Sequence, residues 1–113
     1  MDCFDVVVVG GGSAGYAAAN TAQSKGAKVA IVDKGPLGGL CILRGCMPTK
    51  TILRSSDVLA LMHRAKEFGL SVSNPSADLS LINDRKIRLI NEFASYRVEQ
   101  LNDPKFTLIE EHA

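Results

Sequence analysis

The chain has 113 residues, 46% hydrophobic and 22% charged, with a formal net charge of +1. That describes a globular chain, one small domain or part of a larger one, and excludes disorder. With no basic excess, no acidic tail and no apolar run long enough for a signal segment or membrane span, a cytoplasmic protein working without nucleic acid or membrane is expected.

Phe4 to Val9 is a short, β-branched apolar run that predicts a strand buried on both faces, as in a parallel sheet. Gly10, Gly11 and Gly12 break it. Small residues and good helix formers from Ser13 onward predict a helix to about Lys25, stopped by Gly26. Lys28 to Asp33 reads as a second strand, which completes a βαβ unit. Lys34 to Gly39 holds three glycines and a proline and is a loop. Cys41 to Lys50 contains a cysteine pair.

Thr51 to Phe68 is predicted helical, with Ile52, Leu59, Met62 and Ala65 recurring on roughly one face and Gly69 as its end. Leu70 to Asp78 is a polar connector around Pro75. Leu79 to Leu101 reads as a long amphipathic helix carrying Ile87, Ile90, Ala94, Val98 and Leu101 at helical spacing. Asp103-Pro104 stops it, and Phe106 to Ile109 starts another strand. The expected class is α/β: a Rossmann-like βαβ unit with a parallel sheet and two further helices. Two or three strands are too few to complete a doubly wound sheet. The reading frame is therefore expected to be an N-terminal fragment of a larger domain.

Gly10-Gly11-Gly12-Ser13-Ala14-Gly15 matches G-x-G-x-x-G. Gly10 permits the turn out of the strand, Gly12 leaves room for a diphosphate, and Gly15 lets helix and strand pack closely. Free N–H groups and the positive end of the helix dipole would face the phosphates. Asp33 ends the next strand at about the twenty-residue spacing of a ribose-binding acid. The loop alone does not separate FAD from NAD.

Cys41 and Cys46 have the spacing C-x₄-C. A regular helix holds residues five apart at roughly 8–9 Å between Cα atoms, and a disulfide needs less than about 7 Å. If the two are bonded, the backbone is distorted, and Gly45 gives the freedom to do so. Closing so short a loop stabilises by only about 2 kcal/mol, which favours redox work over stapling. Unpaired core cysteines, a structural disulfide and a zinc site remain as other readings. Zinc would need further ligands, and Cys3, His63 and His112 are scattered; no metal site is expected.

Gly10-x-Gly12-x-x-Gly15, Asp33 and Gly38-Gly39-x-Cys41-x₄-Cys46-x-Pro48-x-Lys50 together resemble the class I pyridine nucleotide-disulfide oxidoreductases, the dihydrolipoamide dehydrogenase, glutathione reductase and mercuric reductase type. The resemblance covers the beginning of that family's much longer chain. It implies an FAD-binding domain, of which 1–113 is the N-terminal part, with nicotinamide (NAD or NADP) and dimer-interface domains elsewhere. It implies electrons passing from NAD(P)H through FAD to a Cys41–Cys46 disulfide, and on to a small disulfide or dithiol substrate, in a homodimer. Cys46 would face the flavin and Cys41 would meet the substrate. Gly10, Gly12, Ser13, Ala14 and Gly15 would hold the diphosphate, Asp33 the adenosine ribose, and Lys34, Gly38, Gly39 and Cys41 more of the cofactor. Lys50 would stand beside the flavin, where its charge stabilises the reduced ring and lowers a thiol pKa.

Ile42-Leu43-Arg44 departs from the asparagine and small apolar residue many members carry. Arg44 would raise thiolate character, contact an acidic substrate, or simply be solvated. His112 lies outside any acid/base motif. The fragment is expected to bind FAD weakly or not at all, and not to turn over alone. A stand-alone nucleotide-binding redox sensor, or an NAD-binding Rossmann domain with incidental cysteines, are the alternatives.

Overall fold

A computed structural model describes residues 3–113. Strand β1 (Val6–Val9) leads into helix α1 (Ser13–Ser24) and strand β2 (Val29–Val32). A short helix α2 (Leu40–Arg44) is followed at once by α3 (Cys46–His63) and a 3-10 turn (Ala65–Phe68). Helix α4 (Leu79–Leu101) returns to strand β3 (Phe106–Ile109). The three strands form one parallel sheet in the order β1-β2-β3. Val6 pairs with Val29 and Val29 with Phe106; Val8 pairs with Ile31 and Ile31 with Leu108. Laterally paired residues share a face, so these six side chains point the same way.

That face carries the core. Val29, Ile31, Ala19 of α1, Leu101 at the end of α4 and Phe106 form one buried cluster, with Tyr16 packed against it. Tyr16 meets Phe106 edge-on at 6.2 Å between centroids, and the Arg97 guanidinium lies 4.6 Å over the tyrosine ring. The small, fully buried Ala19 lets α1 lie close to the sheet, while Ala17 and Ala18 are exposed on its outer side.

The expectation that the first strand is buried on both faces does not hold. Val7 is 56% and Val9 71% exposed, because both project from the sheet face opposite α1 and Leu101. The most buried strand is β2, in which Val29, Ala30 and Ile31 are buried and Val32 partly so, with a neighbouring strand on each side.

The second difference concerns the helix expected over Thr51 to Phe68. It starts five residues earlier, at Cys46, and ends at His63 in a separate 3-10 turn. Pro48 lies in its first turn, where a backbone N–H has no helical partner to lose. The 3-10 turn ends on Gly69 in a left-handed conformation (φ 71°), and Arg64 pairs with Glu67 at 2.7 Å on its surface. Hydrogen bonding to Glu67 raises the Arg64 pKa, and the same bond lowers that of Glu67.

The long helix α4 has the bounds its periodicity predicts. Asp78 caps it: one carboxylate oxygen accepts from the Ser80 N–H (2.8 Å) and the Leu81 N–H (3.1 Å). Asp78→Ala is expected to cost about 1 kcal/mol, read as a lowered urea midpoint at unchanged m-value, with Asp78→Asn close to wild type. At the far end Asp103 accepts from the Lys105 N–H at 3.0 Å as the chain turns into β3. That bond, helped by the Lys105 charge, holds its carboxyl below the usual range.

Helices α3 and α4 pack as a hairpin that extends away from the sheet. The molecule measures 67 × 27 × 18 Å with a radius of gyration of 20.0 Å, against about 13 Å for a compact chain of about a hundred residues. Among the described residues no helix is long and apolar enough to cross a membrane.

Candidate dinucleotide and disulfide site

The turn after β1 brings the glycine loop to the carboxyl end of the sheet. Gly10 adopts φ +96° and its N–H donates to the Val32 carbonyl at 2.7 Å, so the loop leaves β1 still tied to β2. Gly12 is the N-cap of α1, and no side chain caps the helix there. The orphan N–H groups of the first turn, at the exposed residues Ser13 and Ala14, are thus open to an external acceptor. Gly15 lies one turn in. A Cβ at that position would run into the Gly10 carbonyl oxygen, so helix and strand touch through backbone alone.

Asp33 reaches back to this loop. Its Oδ2 accepts from the Gly11 N–H at 2.6 Å and its Oδ1 from the Gly35 N–H at 2.8 Å. The carboxylate thereby ties the β1–α1 turn to the segment that follows β2. Each oxygen keeps a lone pair for a hydroxyl donor. Gly11 and Gly35 are the partners the sequence reading missed. Only the triple-glycine run hinted at Gly11, and nothing marked Gly35.

Gly38 and Gly39 then approach from the other side. Gly39 has φ +81°, and a Cβ there would sit 2.6 Å from the Gly12 Cα. The two glycine segments are in van der Waals contact, and between them opens a cleft of about 410 Å³. Gly10, Gly12, Asp33, Lys34, Gly39 and Arg44 line it. Gly15 lies behind this surface.

The cysteines stand at the break between α2 and α3. Cys41 and Cys46 are disulfide-bonded with their Cα atoms 4.8 Å apart, well inside the separation a continuous helix would impose. Gly45 makes the break. A Cβ there would lie 3.1 Å from the Leu40 carbonyl oxygen and 3.2 Å from the Cys41 Cα, so α3 starts tight against α2. Thr49 closes the first turn of α3, donating its hydroxyl to the Gly45 carbonyl at 2.9 Å. Arg85 of α4 donates to the Thr51 carbonyl at 3.2 Å and holds the hairpin beside this turn. Cys46 is exposed and Cys41 partly so. Cys3 is free and exposed, apart from the pair. Lys50 lies one turn beyond Cys46, exposed, and does not line the cleft. His112 borders a different hollow, above the ends of β1 and β2.

A parallel βαβ unit with an uncapped glycine turn, a tethered acid and a disulfide at a helix break has the frame of a Rossmann-like fold with a bonded cysteine pair beside its glycine loop. Residues 4–111 match the family described as pyridine nucleotide-disulphide oxidoreductase. The chain belongs to that family. It is 43% identical over 94 residues to a dihydrolipoyl dehydrogenase of Zymomonas mobilis, an alignment covering 83% of this chain and 20% of that protein. It is 47% identical over 88 residues to a dihydrolipoyl dehydrogenase of Chlorobaculum parvum, covering 76% and 19%. A mercuric reductase of Staphylococcus aureus is 34% identical over 107 residues, covering 94% and 20%. Among solved structures, the HOCl-induced flavoprotein disulfide reductase RclA of Escherichia coli, determined as a Cu(II) complex, superposes with a TM-score of 0.71 at 28% identity, covering 96% of this chain and 22% of that one. The chain thus spans about a fifth of the length of these curated relatives.

Proposed function

We propose that the full-length protein is an FAD-dependent NAD(P)H:disulfide oxidoreductase of the dihydrolipoamide dehydrogenase kind, with residues 1–113 as the N-terminal part of its FAD-binding domain. The observation that carries this is the Cys41–Cys46 disulfide at the start of α3, one short helix away from an uncapped glycine turn. The glycine-lined cleft fits a dinucleotide, since the close approach of Gly12 and Gly39 leaves no Cβ in its floor.

In this reading the N–H groups of Ser13 and Ala14, with Gly10, Gly12 and Gly15 shaping the turn, hold the diphosphate. Asp33 accepts from the adenosine ribose hydroxyls, and Lys34 lies alongside. Gly38, Gly39 and Cys41 flank the middle of the cofactor, and Lys50 stands by the flavin. When bound, FAD supplies hydride acceptance from a nicotinamide and two-electron delivery to a disulfide.

Two electrons and one proton break the Cys41–Cys46 bond to a Cys46 thiolate and a Cys41 thiol. Cys41, on losing its proton, attacks one sulfur of a small disulfide substrate, and the first substrate thiol leaves. The Cys46 thiolate then attacks Cys41 of the mixed disulfide, the second substrate sulfur leaves as a thiolate that takes a proton from water, and the protein disulfide is restored. The start of α3 favours a thiolate at Cys46 through the helix dipole. The nicotinamide site and a partner-subunit interface belong to further parts of a homodimeric, cytoplasmic enzyme.

The test is an absorbance spectrum of the full-length protein. Bound flavin, with a long-wavelength thiolate–flavin band appearing on addition of two electrons per subunit, is the expected result. A colourless protein that binds NAD with the same affinity after Cys41→Ser/Cys46→Ser would overturn the reading.

A further inference from the structure

Arg44, one of the residues between the cysteines that depart from the family pattern, lines the glycine cleft, which Cys41 and Cys46 do not. Leu40, Leu43 and Arg44 fall at helical spacing on one side of α2, and all three line the cleft that also contains Gly10, Gly12 and Asp33. Cys41 projects a quarter-turn away and does not line it. Arg44 is exposed, and its guanidinium makes no hydrogen bond or ion pair among the described residues.

The cleft's charges show what that guanidinium awaits. Asp33 is the only acidic residue lining it, and both its oxygens already accept backbone N–H groups. Lys34 adds a second cation. The other side of Arg44 borders a separate hollow of about 310 Å³ that contains Lys86 and no acidic residue, so a like charge disfavours turning that way. A cleft whose two cations outnumber its one carboxylate, backed by uncapped helix N–H groups, suits a ligand carrying phosphate charge. Arginine adds the planar fork that matches phosphate oxygens.

We propose that Arg44 is a cofactor-binding residue whose guanidinium clamps the diphosphate of the dinucleotide on the glycine loop, and that it does not tune the cysteine pair. This rests on the dinucleotide reading given above. Arg44 thus supplies from α2 a charge that a small apolar residue at this place does not provide.

Apo full-length protein, titrated with FAD by quenching of flavin fluorescence at several NaCl concentrations, tests this. Arg44→Gln is expected to raise the FAD Kd roughly tenfold and to make it less sensitive to salt. Arg44→Lys should recover most of the affinity and the salt sensitivity. The pH midpoint of the thiolate–flavin band should be the same in all three proteins. Unchanged FAD affinity in Arg44→Gln would overturn the assignment, with or without a shifted midpoint. So would equal losses in Gln and Lys variants at unchanged salt sensitivity, which is the mark of stacking rather than charge. Wild-type protein that fails to bind FAD would instead remove the dinucleotide reading itself.

Discussion

Gly15→Ala is expected to destabilise the domain by more than about 3 kcal/mol, lowering its melting temperature and its soluble yield. The reason is geometric. The added methyl would overlap the Gly10 carbonyl oxygen and lie 3.2 Å from a Val8 methyl. A side chain could swing aside, but Gly10 is backbone. Its N–H is tied to Val32 at 2.7 Å, and the Tyr16 N–H donates to the Gly12 carbonyl at 2.8 Å. Relief requires α1 to lift from β1, which opens the contact that buries Ala19. Folded domains are stable by only about 5–15 kcal/mol, so this is a large fraction. Gly12→Ala is the matched control. Its Cβ would meet only the Gly39 Cα, at an ordinary 3.7 Å. It should fold normally and lose FAD affinity, because the methyl intrudes on the cleft. A Gly15→Ala protein melting within a degree or two of wild type would show that the helix–strand contact yields where the structure has it rigid.

The cysteine variants are expected to lose disulfide reduction by roughly a thousandfold or more each, as removal of a nucleophile does, and to lose it differently. Cys46→Ser removes the sulfur that begins α3, so the long-wavelength band should vanish along with turnover. Cys41→Ser keeps the Cys46 sulfur, so the band should persist, now without prior reduction, while turnover is lost. Flavin content should be little changed in both, since serine keeps nearly the size of cysteine and the cleft shared by Gly10, Gly12 and Asp33 is left intact. A Cys41→Ser protein lacking the band beside a Cys46→Ser protein retaining it would reverse the two roles.

The βαβ unit, the glycine loop and the bounds of α4 and β3 were legible because each has a local cause. Periodicity of 2 or 3.6, a turn residue or a cap lies within the element itself. The start of α3 was not. Leu40 to Arg44 is too short to show a period, and Pro48 reads as a breaker unless the helix is known to begin at Cys46, where a proline in the first turn is tolerated. The open face of β1 was missed for another reason. A run of four valines states that both faces can be buried, while the neighbouring chain decides whether they are. The site shows the same division. Asp33 announced itself by spacing, but its partners are amide groups of Gly11 and Gly35, and every residue except proline has such an amide. Arg44 was visible as a departure. Its direction needed α2 to exist first.

The two amides on Asp33 have one more consequence. A surface aspartate normally samples several rotamers and gives that freedom up when a ligand arrives. Here the freedom is lost when the chain folds, because the β1–α1 turn and Gly35 grip both oxygens beforehand. A hydroxyl donor therefore meets a stationary acceptor, and little of its binding free energy goes into ordering the receptor. The cost falls on folding, and the selectivity for where a hydroxyl must stand follows from the backbone.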